Sequence, residues 1–255
     1  MSLPVILHLK GKRYTADLHN GFDISIPLEE GPGHVAAWYV DPIKMEPVRN
    51  GNWIGEVRQG GSVNFRNIFF NPHGHGTHTE SVGHISPEIH SVNQCLKVFF
   101  CIAQLVSVRP EKKGEDMVVK RDIIQEQLQE GVEALIIRTL PNNPAKKIQN
   151  WSDQNPPYLE KGFGVMLRES RIKHLLLDLP SVDREKDEGL LQVHHEFWNY
   201  PDDPRMDATI TEMIYAADMV PDGIYLLNLQ VAPFENDASP SRPVLYSLEP
   251  DAGLV

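Results

Sequence analysis

Cysteine is scarce: Cys95 and Cys101 are the only two among 255 residues. That excludes a disulfide framework and a zinc site built on thiolates. Both lie in an apolar stretch and are expected to be buried free thiols. Positive charge is also in deficit, with 24 Lys and Arg against 35 Asp and Glu and a formal net charge of -11. With no basic stripe and no interleaved aromatics, the counterion-release energy that drives nucleic-acid binding is missing, so DNA and RNA are excluded as partners. Long hydrophobic runs are absent as well. Val98 to Ala103 and Ala134 to Ile137 fall far short of the ~20 apolar residues that cross a bilayer. Met1 to His8 lacks the basic, apolar and small-residue pattern of a secretory leader, so a cytoplasmic location is expected. No P-loop or dinucleotide fingerprint occurs.

What is present is an ordinary soluble composition, 41% hydrophobic and 23% charged, in a chain long enough to bury a substantial core. With no repeat, low-complexity tract or charge run, residues 1–255 are expected to form a single domain. Short β-type segments start the chain (21–27 and 62–70). The sequence then predicts a buried strand over 96–108, a helix over 122–130 stopped by Gly131, and a strand over 132–139. A loop rich in Pro and Asn spans 141–157, long enough to be a lid or a substrate-facing excursion. A second helix and strand follow at 158–170 and 173–179. Helix is expected again near 190–200, extended chain at 208–215 and 223–234, and a turn at 236–240. Two helix-then-strand units in succession imply parallel strands with covering helices, so the fold class is α/β with a mixed β-sheet core.

Histidine is the compositional oddity, with 11 residues, of which His73, His75, His78 and His84 fall within one segment and His194 and His195 are adjacent. Asn71-Pro-His-Gly-His-Gly-Thr-His-Thr-Glu-Ser-Val-Gly-His84 combines imidazoles with one carboxylate, the donor set of zinc, manganese or iron. In an extended segment, residues 74, 76, 78, 80 and 84 share one face, while His73 and His75 point the other way.

This segment resembles the signature His-x-Gly-Thr-His-x-Asp-x-Pro-x-His of the cyclase family of metal-dependent hydrolases, whose members include kynurenine formamidase and isatin hydrolase. Phe22-Asp-Ile-Ser-Ile-Pro27, Leu177-Asp-Leu-Pro-Ser-Val-Asp183, His194-His195, Thr209-Ile-Thr-Glu212 and Asn236-Asp-Ala-Ser-Pro-Ser-Arg242 resemble further segments of that family in the same order. The resemblance implies a cyclase-like fold of the swivelling β/β/α type. It implies metal ligands at His78, Glu80, His194 (or His195) and Glu212, with His84 as the acid–base group. It also implies a divalent metal, zinc first and manganese second, as one or two ions, a small-molecule substrate, and a homodimer or higher homo-oligomer.

Three positions depart from the signature. Its first His falls on Gly74, between His73 and His75; its Asp is Glu80; its Pro is Val82. Either His73 or His75 reaches the metal through a local rearrangement, or that ligand is missing. Residues 200–205 read as an inserted loop. The pattern His73-x-His75-x-Thr77-His78 also resembles the metallo-β-lactamase motif, but Thr77 stands where that motif needs an Asp. His195-Glu196 begins a zincin-like motif that no second His completes.

The implied reaction is hydrolysis of a C–N amide bond in an arylformamide. Ring opening of a cyclic amide, as in isatin hydrolases, is the alternative, and a non-catalytic module with a degenerate site is the second class. Trp38, Tyr39 and Trp53 are candidates to stack an aryl substrate.

Overall fold

The computed structural model describes residues 2–31 and 33–251. A hairpin opens the chain, β1 (Pro4–Leu9) and β2 (Lys12–Asp17), followed by β3 (Gly21–Asp23). Residues 44–69 form a side ribbon in which β4 (Lys44–Pro47) pairs with β7 (Arg66–Phe69), and β5 (Arg49–Asn50) pairs with β6 (Trp53–Ile54). Then come β8 (His78–Glu80), α1 (Val92–Cys95), β9 (Phe100–Val108), β10 (Glu111–Lys113), β11 (Asp116–Val119), α2 (Arg121–Gln125) and β12 (Ala134–Thr139). The rest comprises β13 (Tyr158–Leu159), α3 (Phe163–Glu169), β14 (His174–Leu177), α4 (Gln192–Trp198), β15 (Thr209–Glu212), β16 (Gly223–Asn228), β17 (Ala238–Pro240), β18 (Val244–Ser247) and β19 (Glu249–Pro250).

Nine strands make one mixed sheet in the order β17-β8-β15-β14-β12-β9-β16-β18-β3. Its centre, β9, β12, β14 and β15, is parallel, and each crossover carries a helix, as the helix-then-strand units predict. The flanking strands pair antiparallel. Strand periodicity divides the core between two faces. Leu135, Ile137, Leu175 and Leu177 pack with Ile124, Phe163, Leu167, Val193 and Phe197 from the helices. Ala134, Ile136 and Leu176 face the opposite cluster with Ile24, Ile214 and Leu227.

Several elements are shorter than their patterns suggest. The helix expected over 122–130 closes at Gln125, because the buried Gln104 side chain donates to the Gln127 carbonyl (2.9 Å) and accepts from Gln129 N (2.8 Å), taking backbone groups that a longer helix would pair. The helix expected over 158–170 starts only at Phe163: Tyr158 and Leu159 pair with β11, and Gly162 adopts φ +86°. The 141–157 loop is pinned rather than lid-like, since Lys146 reaches the buried Asp178 and Trp151 N donates to the Ala36 carbonyl. The turn expected at 236–240 contains a strand, β17, paired with β8. Cys101 is buried, but Cys95 is only half-buried.

Candidate metal centre

Cross-strand register assembles the site. His78 and Glu80, two residues apart on β8, share a face, and Glu212 of β15 lies directly opposite His78. Gly76, at φ +76°, turns the chain into β8. Thr77 anchors that turn, its hydroxyl accepting from Ile26 N (2.7 Å) and donating to the Met213 carbonyl (2.6 Å). His194 comes from α4, and Asp183, in the segment after β14, accepts from the backbone N–H groups of Val193 and His194.

The extended alternation expected across 74–84 is confined to β8. Residues 82–84 form a 3-10 turn, which brings His84 Nδ1 to 3.7 Å from Glu80 Oε2. Upstream, the Asn71 side chain accepts from the N–H groups of His73 and Gly74, bending the chain so that His73 faces the centre. His73 Nδ1 lies 3.1 Å from Glu80 Oε2. His75 turns away; its Nδ1 accepts from Asn71 N, and its Nε2 donates to the Asp41 carbonyl. His195 also turns away, with Nδ1 against the Tyr200 carbonyl. Of the two paired alternatives, His73 and His194 therefore reach the cluster, while His75 and His195 do not.

Glu80 is the hub. His194 Nε2 is 3.3 Å from its Oε1, and His78 Nε2 is 3.4 Å from Glu212 Oε2. Two donors about 2.1 Å from a common tetrahedral ion stand about 3.4 Å apart. The spacing within each pair therefore fits two ligands of one cation. Among the described residues, ligand atoms close enough to share an ion fall into three groups, His73–His78–Glu80, His73–His84–Asp237 and Glu80–His84–His194, and Glu212 is in none of them. The hydrogen-bond inventory points the same way. His78 Nε2 and both Glu80 carboxylate oxygens are buried and make no well-formed hydrogen bond among the described residues, the Glu80 oxygens having only the imidazole contacts just given; a buried carboxylate so placed needs positive charge, from imidazolium or a cation, to complete it. The outer nitrogens are occupied: His78 Nδ1 sits 3.2 Å from the Gly76 carbonyl and His194 Nδ1 2.6 Å from Asp183.

Protonation reflects the same crowding. Burial opposes charge on His73 and His194, but carboxylates outweigh it: Asp237 and Glu80 raise His73 to about 10, and Asp183 and Glu80 raise His194 to about 10. Burial opposes the Glu80 charge too, yet His84, His194 and His73 hold its carboxyl well below the usual range. The cluster thus attracts positive charge, which protons or a metal can supply.

A cavity of about 360 Å³ opens onto the cluster, lined by Trp38, His73, His84, Arg184, Leu191 and His194 among others. A larger cleft of about 470 Å³ runs along the side ribbon and contains His75 but none of the clustered carboxylates. Trp38 is thus at the pocket, whereas the Tyr39 hydroxyl donates to Asp153 and Trp53 packs against Phe65 on the ribbon. Two residues with no role assigned from sequence, Asp183 and Asp237, contact the clustered imidazoles. Both lie in segments that carry the family resemblance, but only spatial proximity shows which histidines they serve.

A buried carboxylate ringed by imidazoles, reached by a pocket at the carboxyl ends of parallel strands, is the donor set of a divalent-metal centre. The Cyclase family model matches residues 22–184, and the chain belongs to this family. It is similar to the kynurenine formamidase of Bacillus thuringiensis (strain Al Hakam), 29% identical over 226 residues that cover 88% of this chain and 95% of that protein. In fold it is similar to an isatin hydrolase solved with the product analogue thioisatinate, at TM-score 0.64 and 12% identity, covering 91% of this chain and 93% of that one. Isatin hydrolase A from Labrenzia aggregata, solved with benzyl benzoate, gives TM-score 0.62 and 13% identity over 91% and 94% of the two chains. No helix among the described residues is long and apolar enough to cross a membrane.

Proposed function

We propose that this protein hydrolyses a C–N amide bond in a small arylformamide, with a divalent metal held by His73, His78, Glu80, His194 and Glu212. The observation that carries the proposal is the convergence of buried His78, Glu80 and His194 with His73 below an open pocket, where the Glu80 oxygens face imidazole nitrogens at 3.1 and 3.3 Å and His78 Nε2 makes no hydrogen bond. Nitrogen and oxygen donors without thiolate suit zinc first and manganese second, as one ion or two. When bound, such an ion supplies hydroxide from water near neutral pH and polarises an amide carbonyl. His73 takes the position that Gly74 cannot fill, which favours a working centre over a degenerate, non-catalytic one.

The chain's own groups supply the rest. His84 stands at the pocket with its side chain 30% exposed and Nδ1 3.5 Å from Asp237 Oδ2. From there it delivers a proton to the departing amine, a role worth about 10²- to 10⁴-fold. Trp38 offers an indole face to an aryl group in the same cavity. Val182 N donates to Glu212 Oε1 and leaves Oε2 turned toward His78.

Exposed Trp53, Val57, Val63, Phe65, Ile68 and Phe69 on the side ribbon support a homodimer or larger homo-oligomer, because a two-stranded ribbon with an uncovered apolar surface is marginal alone. The unpaired thiols of Cys95 and Cys101 are in keeping with action in the cytoplasm.

The test is turnover of formylated arylamines, isatin and simple lactams by zinc-loaded protein. Hydrolysis of a formylated arylamine is expected. His84→Ala should retain its metal and lose about 10²- to 10⁴-fold in rate. Isatin turnover alone would establish the ring-opening alternative, and no turnover by metal-saturated protein would leave only a binding module.

A further inference from the structure

The unexplained group at the centre is Asp237. It lies just before β17, the strand that sequence patterning reads as a turn. Antiparallel pairing of β17 with β8 carries it to the rim of the cluster, where its own carbonyl accepts from Ser81 N at 3.0 Å. Gly83 permits this approach. A Cβ there would sit 2.3 Å from the His90 carbonyl oxygen and 3.2 Å from the Asp237 Cβ.

Asp237 Oδ2 makes its hydrogen bond to His73 Nε2 at 2.8 Å, with His84 Nδ1 farther off at 3.5 Å, and the other His73 ring nitrogen, Nδ1, is 3.1 Å from Glu80 Oε2. Neutral imidazole has one N–H and one lone pair, so a carboxylate on one nitrogen fixes the N–H there and directs the lone pair from the other. The same device holds His194, with the ring reversed: Asp183 takes Nδ1 at 2.6 Å, and Nε2 faces Glu80 Oε1. Two carboxylate–imidazole pairs therefore flank Glu80, one presenting Nδ1 and the other Nε2.

We infer that Asp237 is the positioning residue that makes His73 a substitute metal ligand through Nδ1, in place of the imidazole absent at Gly74. This rests on the metal-centre reading above. Gly74 itself has no room for a side chain, since a Cβ there would lie 2.6 and 2.8 Å from the Val40 methyls and 3.1 Å from the Ala37 carbonyl oxygen. The ligand has moved one residue upstream, where the Asn71 turn brings it inward, and Asp237 sets which nitrogen it offers. Partners that orient ligating imidazoles are typically worth about 10- to 100-fold in metal affinity.

The experiment is zinc titration of the full-length protein against a competing chromophoric chelator, for wild type, H73A, H78A, D237A, D237N and the double variant H73A/D237A. Long-range ¹H–¹⁵N spectra of the zinc-bound imidazoles are recorded on the same proteins. D237A should bind zinc about 10- to 100-fold more weakly. D237N, whose amide oxygen still accepts an N–H, should lose less, and in wild type His73 should show its proton on Nε2. Once His73 is gone, removing Asp237 should cost nothing further. Wild-type zinc affinity in folded D237A would overturn the proposal, as would an equal loss in the H73A background or a His73 proton unmoved by D237A. Should D237A fail to fold, D237N decides by the same spectrum and titration. If H73A and H78A bind zinc like wild type, the metal centre itself is misassigned; if they lose affinity while the Asp237 variants do not, only the role of Asp237 falls.

Discussion

Restoring the family histidine at position 74 should damage this protein rather than repair it. The Gly74 N–H donates to Asn71 Oδ1, and its carbonyl accepts from Ala37 N at 3.0 Å, so the backbone is held from both sides. Ordinary carbon–carbon contacts are about 3.5–4.0 Å, so a Cβ placed 2.6 and 2.8 Å from the Val40 methyls is about 1 Å too close. Forced overpacking of this kind costs about 1–3 kcal/mol. In a chain of this size that lowers Tm by about 2–12 °C. Gly74→Ala measures the steric effect alone, and Gly74→His adds the imidazole. Thermal and urea unfolding of the metal-free variants, followed by zinc titration, gives both quantities. Val40→Ala removes the two offending methyls, so the double variant V40A/G74A should recover about 1 kcal/mol relative to the sum of the single changes. A G74H protein as stable as wild type that binds zinc more tightly would refute the reasoning, because it would show that position 74 can still host the ligand.

Two further outcomes concern the scaffold. His174 is buried, with Nδ1 2.9 Å from Thr209 Oγ1, and desolvation lowers its pKa to about 4 despite the nearby charge of Asp207. The unfolded imidazole takes up a proton near pH 6.5, so stability is full above that pH and falls as pH drops toward 4, by about 3 kcal/mol in total. Urea unfolding of wild type and His174→Gln at pH 7.5, 5 and 4 should show a steeper acid loss in wild type, and parallel curves would contradict the assignment. Lys146 Nζ lies 2.7 Å from Asp178 Oδ2, with side-chain exposures of 11% and 1%. Lys146→Met leaves that carboxylate buried without its cation and should cost about 3–5 kcal/mol, much of it recovered by adding Asp178→Asn. A loss below about 1 kcal/mol would show that the Thr139 hydrogen bonds suffice.

Local periodicity was enough to locate the parallel core. Leu135, Ile137, Leu175 and Leu177 lie in short apolar runs after helix-like segments, and right-handed crossover units leave few alternatives for such a pattern. Helix lengths were less legible. The Gln104 side chain, distant in sequence, competes for the backbone beyond Gln125, and no local propensity encodes that contact. The turn at 236–240 was misread for the same reason: its strand character comes from pairing with β8, a partner more than 150 residues upstream.

The chemistry divides along the same line. Residue type and spacing marked 73–84 as a nitrogen-and-oxygen donor set and drew attention to the 194–195 pair, because imidazoles and carboxylates are costly to gather without a task; Glu212 entered only through the resemblance of 209–212 to a family segment. Which histidines meet was decided only by the tertiary structure. Alternation along an extended strand would have sent His73 away from Glu80, but the Asn71 turn and the φ +76° of Gly76 break that alternation. His73 enters while His75 leaves, and His194 enters while His195 packs on Tyr200. Asp237 joins them across the sheet. Ligand chemistry is a property of single side chains and can be read in sequence, whereas ligand geometry depends on backbone turns and long-range strand pairing that exist only once the chain has folded.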